Sequence, residues 1–161
     1  MKRSLGLSAP LIVVILAGTL LQGQQLTVET DAGKRVLSRS DLESLPHLTV
    51  TASEHGSAPV VFEGVALMNV LEKAGVTFGE SMKGKRLTNC LLVEAADGYR
   101  VVIALPELDP AFTDRQTVLA FLRDGKPLSD KEGPYRIVIP DEKRMARWVR
   151  QVTTLKIVDV Q

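Results

Sequence analysis

The segment spanning residues 124–152, DGKPLSDKEGPYRIVIPDEKRMARWVRQV, constrains this chain most, because turn, strand and basic-aromatic elements follow one another in a fixed order. Asp124-Gly125 is a two-residue hairpin signal, the glycine supplying the positive φ that such a turn requires, and it follows an apolar run at residues 118–122. A strand is therefore predicted to reverse here. The break Glu132-Gly133-Pro134 then leads into the β-branched run Tyr135-Arg136-Ile137-Val138-Ile139, which Pro140 ends because it lacks a ladder donor. Arg136 lies inside that strand. Lys143, Arg144, Arg147 and Arg150 follow, grouped around Trp148, and a last β-rich run covers residues 152–160.

The remaining sequence is read in the same way. Residues 26–30 and 34–37 are predicted strands on either side of the turn Asp31-Ala32-Gly33. Ser40-Asp41-Leu42-Glu43 has capping-box spacing and predicts a short helix to about Leu45, stopped by Pro46. Strands are expected at 47–52 and 59–62. Val65, Met68, Leu71 and Glu72, with Leu67 and Ala74, form the stripe of a helix that Gly75 terminates. Residues 87–95 and 99–105 read as a hairpin around Asp97-Gly98, Pro106-Glu107-Leu108 as a one-turn helix, and 117–122, 135–139 and 153–160 as further strands. Strands and helices intersperse without βαβ alternation, so the predicted class is α+β, β-rich, with two or three short helices.

Lys2 and Arg3 precede an apolar run at residues 11–21, followed by small or polar residues, as in a secretory signal. No cysteine follows the run as a lipoprotein anchor would require. Residues 1–23 are thus expected to be a signal peptide and 24–161 a single domain, periplasmic or secreted, with no membrane span after cleavage; an uncleaved anchor is the alternative, since Leu21 and Gly23 make an imperfect cleavage site. Loss of Lys2 and Arg3 takes 20 basic groups to 18 against 19 acidic ones, a net charge of −1. That balance argues against a nucleic-acid partner. A lone cysteine, Cys90, excludes an internal disulfide framework, and the expectation for it is a small buried hydrophobe in a strand. His47 and His55 lack the companions that a zinc site needs, and neither Gly-x-Ser-x-Gly nor a glycine-rich phosphate loop occurs.

Gly125, Pro127-Leu128, Gly133, Arg136, Pro140 and Arg147-Trp148-Val149, together with Phe62-Glu63-Gly64-Val65-Ala66-Leu67, Asp97-Gly98-Tyr99 and Val118-Leu119-Ala120, form a pattern over residues 48–158. It resembles the oxidoreductase molybdopterin-binding domain, the family of sulfite oxidases and of periplasmic methionine sulfoxide reductase catalytic subunits. The resemblance implies a mixed, β-grasp-like fold and a molybdenum-molybdopterin cofactor. It also implies that the basic segment faces the cofactor, with Arg136, Arg144 and Arg147 as ligands for a pterin phosphate or small anion, a role that guanidinium forks suit. The family's metal takes a cysteine thiolate from just before the Gly64-Val65-x-Leu67 stretch, and residues 47–59 contain none. His55, in the loop at that place, becomes a candidate pocket residue.

Two functions therefore stand open. One is an exported molybdopterin-dependent redox protein with a periplasmic redox partner and an unusual or absent metal ligand. The other is a cofactor-free periplasmic binding module on the same fold, without catalysis. In either case Arg136→Ala is expected to weaken anion binding and leave the fold intact.

Overall fold

The structure, a computed structural model, describes residues 24–54, 56–140 and 142–160. The expected signal peptide, 1–23, and His55 lie outside the described residues. Among the described residues ten strands form two sheets. β1 (Leu26–Thr30), β2 (Gly33–Leu37), β5 (Asn89–Ala95), β6 (Arg100–Ala104) and β10 (Val152–Asp159) make the first, in the order β2-β1-β10-β5-β6. β3 (His47–Ser53), β4 (Pro59–Ala66), β7 (Val118–Arg123) and β8 (Lys126–Pro127) make the second in that order, with β9 (Arg136–Val138) also pairing β7. Every pairing is antiparallel except β1 with β10. Among the described residues two helices, α1 (Arg39–Glu43) and α2 (Leu67–Lys73), complete the regular elements alongside short 3-10 turns. The class is α+β and β-rich, as the sequence implied.

Both sheets contribute to one continuous core. Leu26, Val28, Leu91, Val93, Ile103 and Leu155 enter it from the first sheet, and Val50, Phe62, Val65, Leu119 and Ile137 from the second. Alternation along β5 shows the underlying rule, with Leu91, Val93 and Ala95 turned inward and Leu92 and Glu94 outward. β7 departs from it. Glu63 of β4 pairs with Leu122 but the next residue, Gly64, pairs with Ala120, so Phe121 is an inserted bulge residue. As a result Val118, Leu119, Ala120 and Phe121 are all buried in succession.

Three sequence expectations need correction. The capping box exists, but its serine is Ser38 rather than Ser40: the Ser38 hydroxyl accepts from the Asp41 amide at 3.2 Å and the Asp41 carboxylate accepts from the Ser38 amide at 2.9 Å. The same three-residue spacing is present two positions earlier, with Asp in the place of Glu, and Ser38 holds the extended backbone that a cap needs. Val65 belongs to β4, not to the helix, because α2 starts only at Leu67, whose amide donates to Thr117 O at 2.9 Å. Residues 87 and 88 form the end of a 3-10 turn instead of opening β5. Gly75, at φ 100, follows the end of α2 as expected. Among the described residues no helix is long and apolar enough to cross a membrane.

Tyr135 ties the start of the described chain to the segment that enters β9. Its ring is fully buried and its hydroxyl donates to Gln24 O at 2.7 Å. Burial pushes the phenol up to about 12, with Arg39 opposing and Glu43 adding to the shift. An unfolded tyrosine ionises near pH 10. The native state therefore keeps its proton where the unfolded chain loses it, and this contribution is complete below pH 10 and lost as pH rises toward 12. Chemical denaturation of Tyr135→Phe and wild type is expected to show that the wild type loses about 2 kcal/mol more stability across that interval.

Candidate functional site

A cleft of about 1080 Å³ opens where the end of β3, the β5-β6 turn, β7, β9 and the segment 142–150 meet. The β5-β6 turn is the Asp97-Gly98 hairpin read from sequence, with Gly98 at φ 85. Its Tyr99 hydroxyl donates to Ala146 O at 2.7 Å, tying the turn to the basic segment. Gln151 ends that segment in a left-handed conformation, φ 50, rare for a residue with a side chain. Three bonds fix it: its amide donates to Glu132 O at 2.8 Å, its carbonyl accepts from Ala96 at 2.9 Å, and its side-chain amide donates to Asp130 O at 2.7 Å. The basic segment is thus anchored at its middle and at its C-terminal end.

Trp148 forms part of the cleft wall and is 4% exposed. Its indole N–H donates to Ile139 O at 3.0 Å, and its ring meets Phe62 edge-on at 6.1 Å. The tryptophan is a core anchor with one edge on the cleft. Beside it lies Arg136, 4% exposed, its guanidinium 5.4 Å from the Phe62 ring centre and 5.6 Å from that of Trp148.

Arg136 does not stand alone. It pairs with Glu54 through Nη2 and with Glu132 through Nη1. Arg123 Nη1 reaches the same two carboxylates, at 2.8 Å to Glu54 Oε2 and 3.0 Å to Glu132 Oε1. Two cations and two anions thus form a neutral floor. Arg136 Nε, buried against the rings, has no hydrogen-bond partner among the described residues. Sequence reasoning missed Glu54, Glu132 and Arg123. A signal existed, since an arginine inside an apolar strand must find carboxylates, and Glu132 stands four residues before it.

The other candidates separate. Arg144 is exposed and lines the cleft together with Lys131, Lys143 and Arg150. None of these four forms an ion pair among the described residues. Arg147, by contrast, does not line the cleft. Its Nε donates to Glu142 at 2.7 Å, Nη2 also meets Glu142, and Nη1 lies 3.2 Å from Glu107. Burial disfavours its charge, but the two carboxylates outweigh that and hold its pKa above the usual value. Arg115 extends the network to Glu107 at 3.5 Å. Of the residues flanking His55, Glu54 and Gly56 both line the cleft. His47 is satisfied elsewhere, by Glu63 at 3.2 Å and Glu43 O at 3.1 Å.

A family model described as the oxidoreductase molybdopterin binding domain matches residues 22–161. The chain belongs to that family. Among solved structures, the sulfane dehydrogenase SoxCD from Paracoccus pantotrophus is similar, with a TM-score of 0.63 and 22% identity. The likeness covers 84% of this chain but only 38% of the SoxCD chain. No curated protein matches. The molybdopterin-binding fold, of the sulfite oxidase type, is the one the motifs implied.

Whether the cleft suits the cofactor that the molybdopterin-binding family implies depends on which part of it is considered. The exposed cations suit a phosphate. The metal finds no thiol, because Cys90 is not among the lining residues and projects from the face of β5 opposite Leu91 and Val93. Burial pushes its pKa up, away from the thiolate a metal needs. Among the described residues no three His, Cys, Asp or Glu side chains are grouped to hold a metal ion. The described residues fit an anion and not a metal.

Proposed function

We propose that this chain is an exported anion-binding member of the molybdopterin-binding family, whose cleft takes the phosphate of a molybdenum-pterin cofactor or a related phosphate-bearing anion. The observation that carries this reading is the set of exposed cations, Lys131, Lys143, Arg144 and Arg150, at a cleft whose floor is already neutral. Arg144 and Arg150 supply guanidinium forks for phosphate oxygens, and the two lysines add charge without fixed geometry. Arg147 acts through the segment, pinning it to Glu107 and Glu142.

A second reading, a cofactor-free binding module, is favoured by the absence of a thiol from the lining residues. The two readings differ in whether pterin accompanies the anion, and a periplasmic redox partner belongs only to the first. The deciding experiment is molybdenum content and oxidised-pterin fluorescence on protein purified from the periplasm of a cofactor-competent host. Stoichiometric pterin supports the cofactor reading, and folded protein carrying neither metal nor pterin supports the module. Either way, Arg144→Ala with Arg150→Ala is expected to weaken phosphate binding about tenfold, with wild-type binding falling as salt rises. Unchanged affinity in that double variant would refute the assignment. Mass spectrometry of the mature N-terminus tests export, which predicts a start at about residue 24.

A further inference from the structure

We propose that the open edge of β3 is a docking site for an extended segment of another protein, which adds to the second sheet as a further strand and carries acidic residues at the end that reaches the cleft. Among the described residues the strand orders end on β2 and β6 in the first sheet and on β3 and β8 in the second. Three of these four carry features that keep a sheet edge from recruiting other chains. β2 holds Lys34 and Arg35, Arg100 opens β6, and β8 is two residues long and ends on Pro127. β9, beside β8 on β7, is covered by the basic segment, Ile137 donating to Val149 O at 2.8 Å. β3 has no such protection. Its seven residues, HLTVTAS, include no Lys, Arg, Asp, Glu or Pro, and its pairing with β4 runs from His47 with Val65 to Ser53 with Pro59 without a bulge.

The ladder fixes which backbone groups face outward. Val61 of β4 is turned toward β7: its carbonyl accepts from the Asp124 amide at 2.8 Å and its amide donates to the Asp124 carboxylate at 3.0 Å. Its partner on the other side, Thr51, therefore stands in a non-hydrogen-bonded pair, and the Thr51 amide and carbonyl point away from β4. By the same alternation those of Thr49 and Ser53 do too. A strand added there would leave the β3-β4 ladder intact. Side chains suit it as well. Thr49 and Thr51 are exposed, Val61 on the same face is 40% exposed, and Leu48 on the opposite face is only half-buried against the core. Alternating β-branched residues on an incoming strand would cover both faces.

Charge sets the chemistry of the partner. Ser53, the last residue of β3, lines the cleft with Lys131, Lys143, Arg144 and Arg150. A strand laid along β3 has one end at these cations, where carboxylates complement them. The edge itself is independent of the anion reading of the cleft, and only the acidic flank rests on it.

The test is fluorescence anisotropy with synthetic peptides of alternating valine and threonine, seven residues long like β3, bearing an aspartate pair at one end or the other, or a serine pair in its place. Wild type is expected to bind an aspartate peptide more tightly than its serine counterpart, with the difference shrinking as salt rises. N-methylation of one of the two alternate sets of peptide amides is expected to weaken binding about tenfold, and Thr51→Pro, which removes an outward donor and no bond to β4, by a similar factor. Binding indifferent to both changes, or no binding to folded wild type, would overturn the proposal. Equal binding of aspartate and serine peptides would overturn the acidic partner, while the phosphate titration of the Arg144 and Arg150 double variant judges the cleft separately. Self-association in sedimentation that Thr51→Pro abolishes, without peptide binding, would make a second copy the occupant and sink the partner named here. Should Thr51→Pro fail to fold, the N-methylated peptides on wild type decide.

Discussion

Arg136→Met is expected to lower the stability of the protein by about 3–5 kcal/mol in chemical denaturation, the cost of leaving buried carboxylates without their cation. The side chains of Glu54 and Glu132 are 17% and 13% exposed, and Arg123, the only other cation paired with them among the described residues, is 33% exposed. Removing Arg136 would give the floor a net negative charge next to the Phe62 and Trp148 rings. The sequence alone suggested that an Arg136 variant would lose anion binding and keep its fold. Its burial and its two carboxylate partners reverse the emphasis. The cause can be isolated by adding Glu54→Gln and Glu132→Gln to Arg136→Met, which removes the stranded charges and should recover a large part of the loss. If the triple variant is no more stable than Arg136→Met, packing rather than charge is responsible.

Gly64→Ala is expected to destabilise the fold by about 3 kcal/mol or more, because a β-carbon there would meet backbone and not a movable side chain. That atom would lie 2.2 Å from Leu119 O and 2.7 Å from Ala120 Cα. Gly64 sits beside the Phe121 bulge, and its partner on β7, Ala120, is paired on its other side with Arg136 of β9. Strain at Gly64 would therefore be transmitted to the floor of the cleft. Thermal melting checks the loss. A melting temperature within a degree or two of wild type would mean that β7 can move away, contrary to the packing described.

How much of this was legible in the sequence depended on whether the cause was local. Asp124-Gly125 was readable because both residues adopt positive φ, 49° and 73°, and few residue pairs tolerate that. The Asp97-Gly98 hairpin and the end of α2 at Gly75 were legible for the same reason. The cap of α1 was misplaced by two residues because Ser38 and Ser40 offer the same hydroxyl, and only backbone conformation chooses between them. The site was harder. Arg136, Arg144 and Arg147 look equivalent as a run of cations, yet they end in three environments: a buried cluster, a cleft wall and a surface network. What separates them is the location of Glu54, Glu107, Glu132 and Glu142, and Glu54 is 82 residues from Arg136. Long-range carboxylate pairing leaves no periodic trace.

The position of β10 bears on the order in which the protein can assemble as it is synthesised. β10 lies between β1 and β5, so the β1-β2 and β5-β6 hairpins share no strand contact until it arrives. Thr27 waits for Thr154, and Leu91 for Ile157. All strands of the second sheet leave the ribosome earlier, so that half can close while the first is still two separate hairpins, each marginal alone. Until then β1 and β5 each present an unpaired edge, the form in which nascent chains are most prone to misassociate. Those two edges are covered only once β10 has been made and has paired with both.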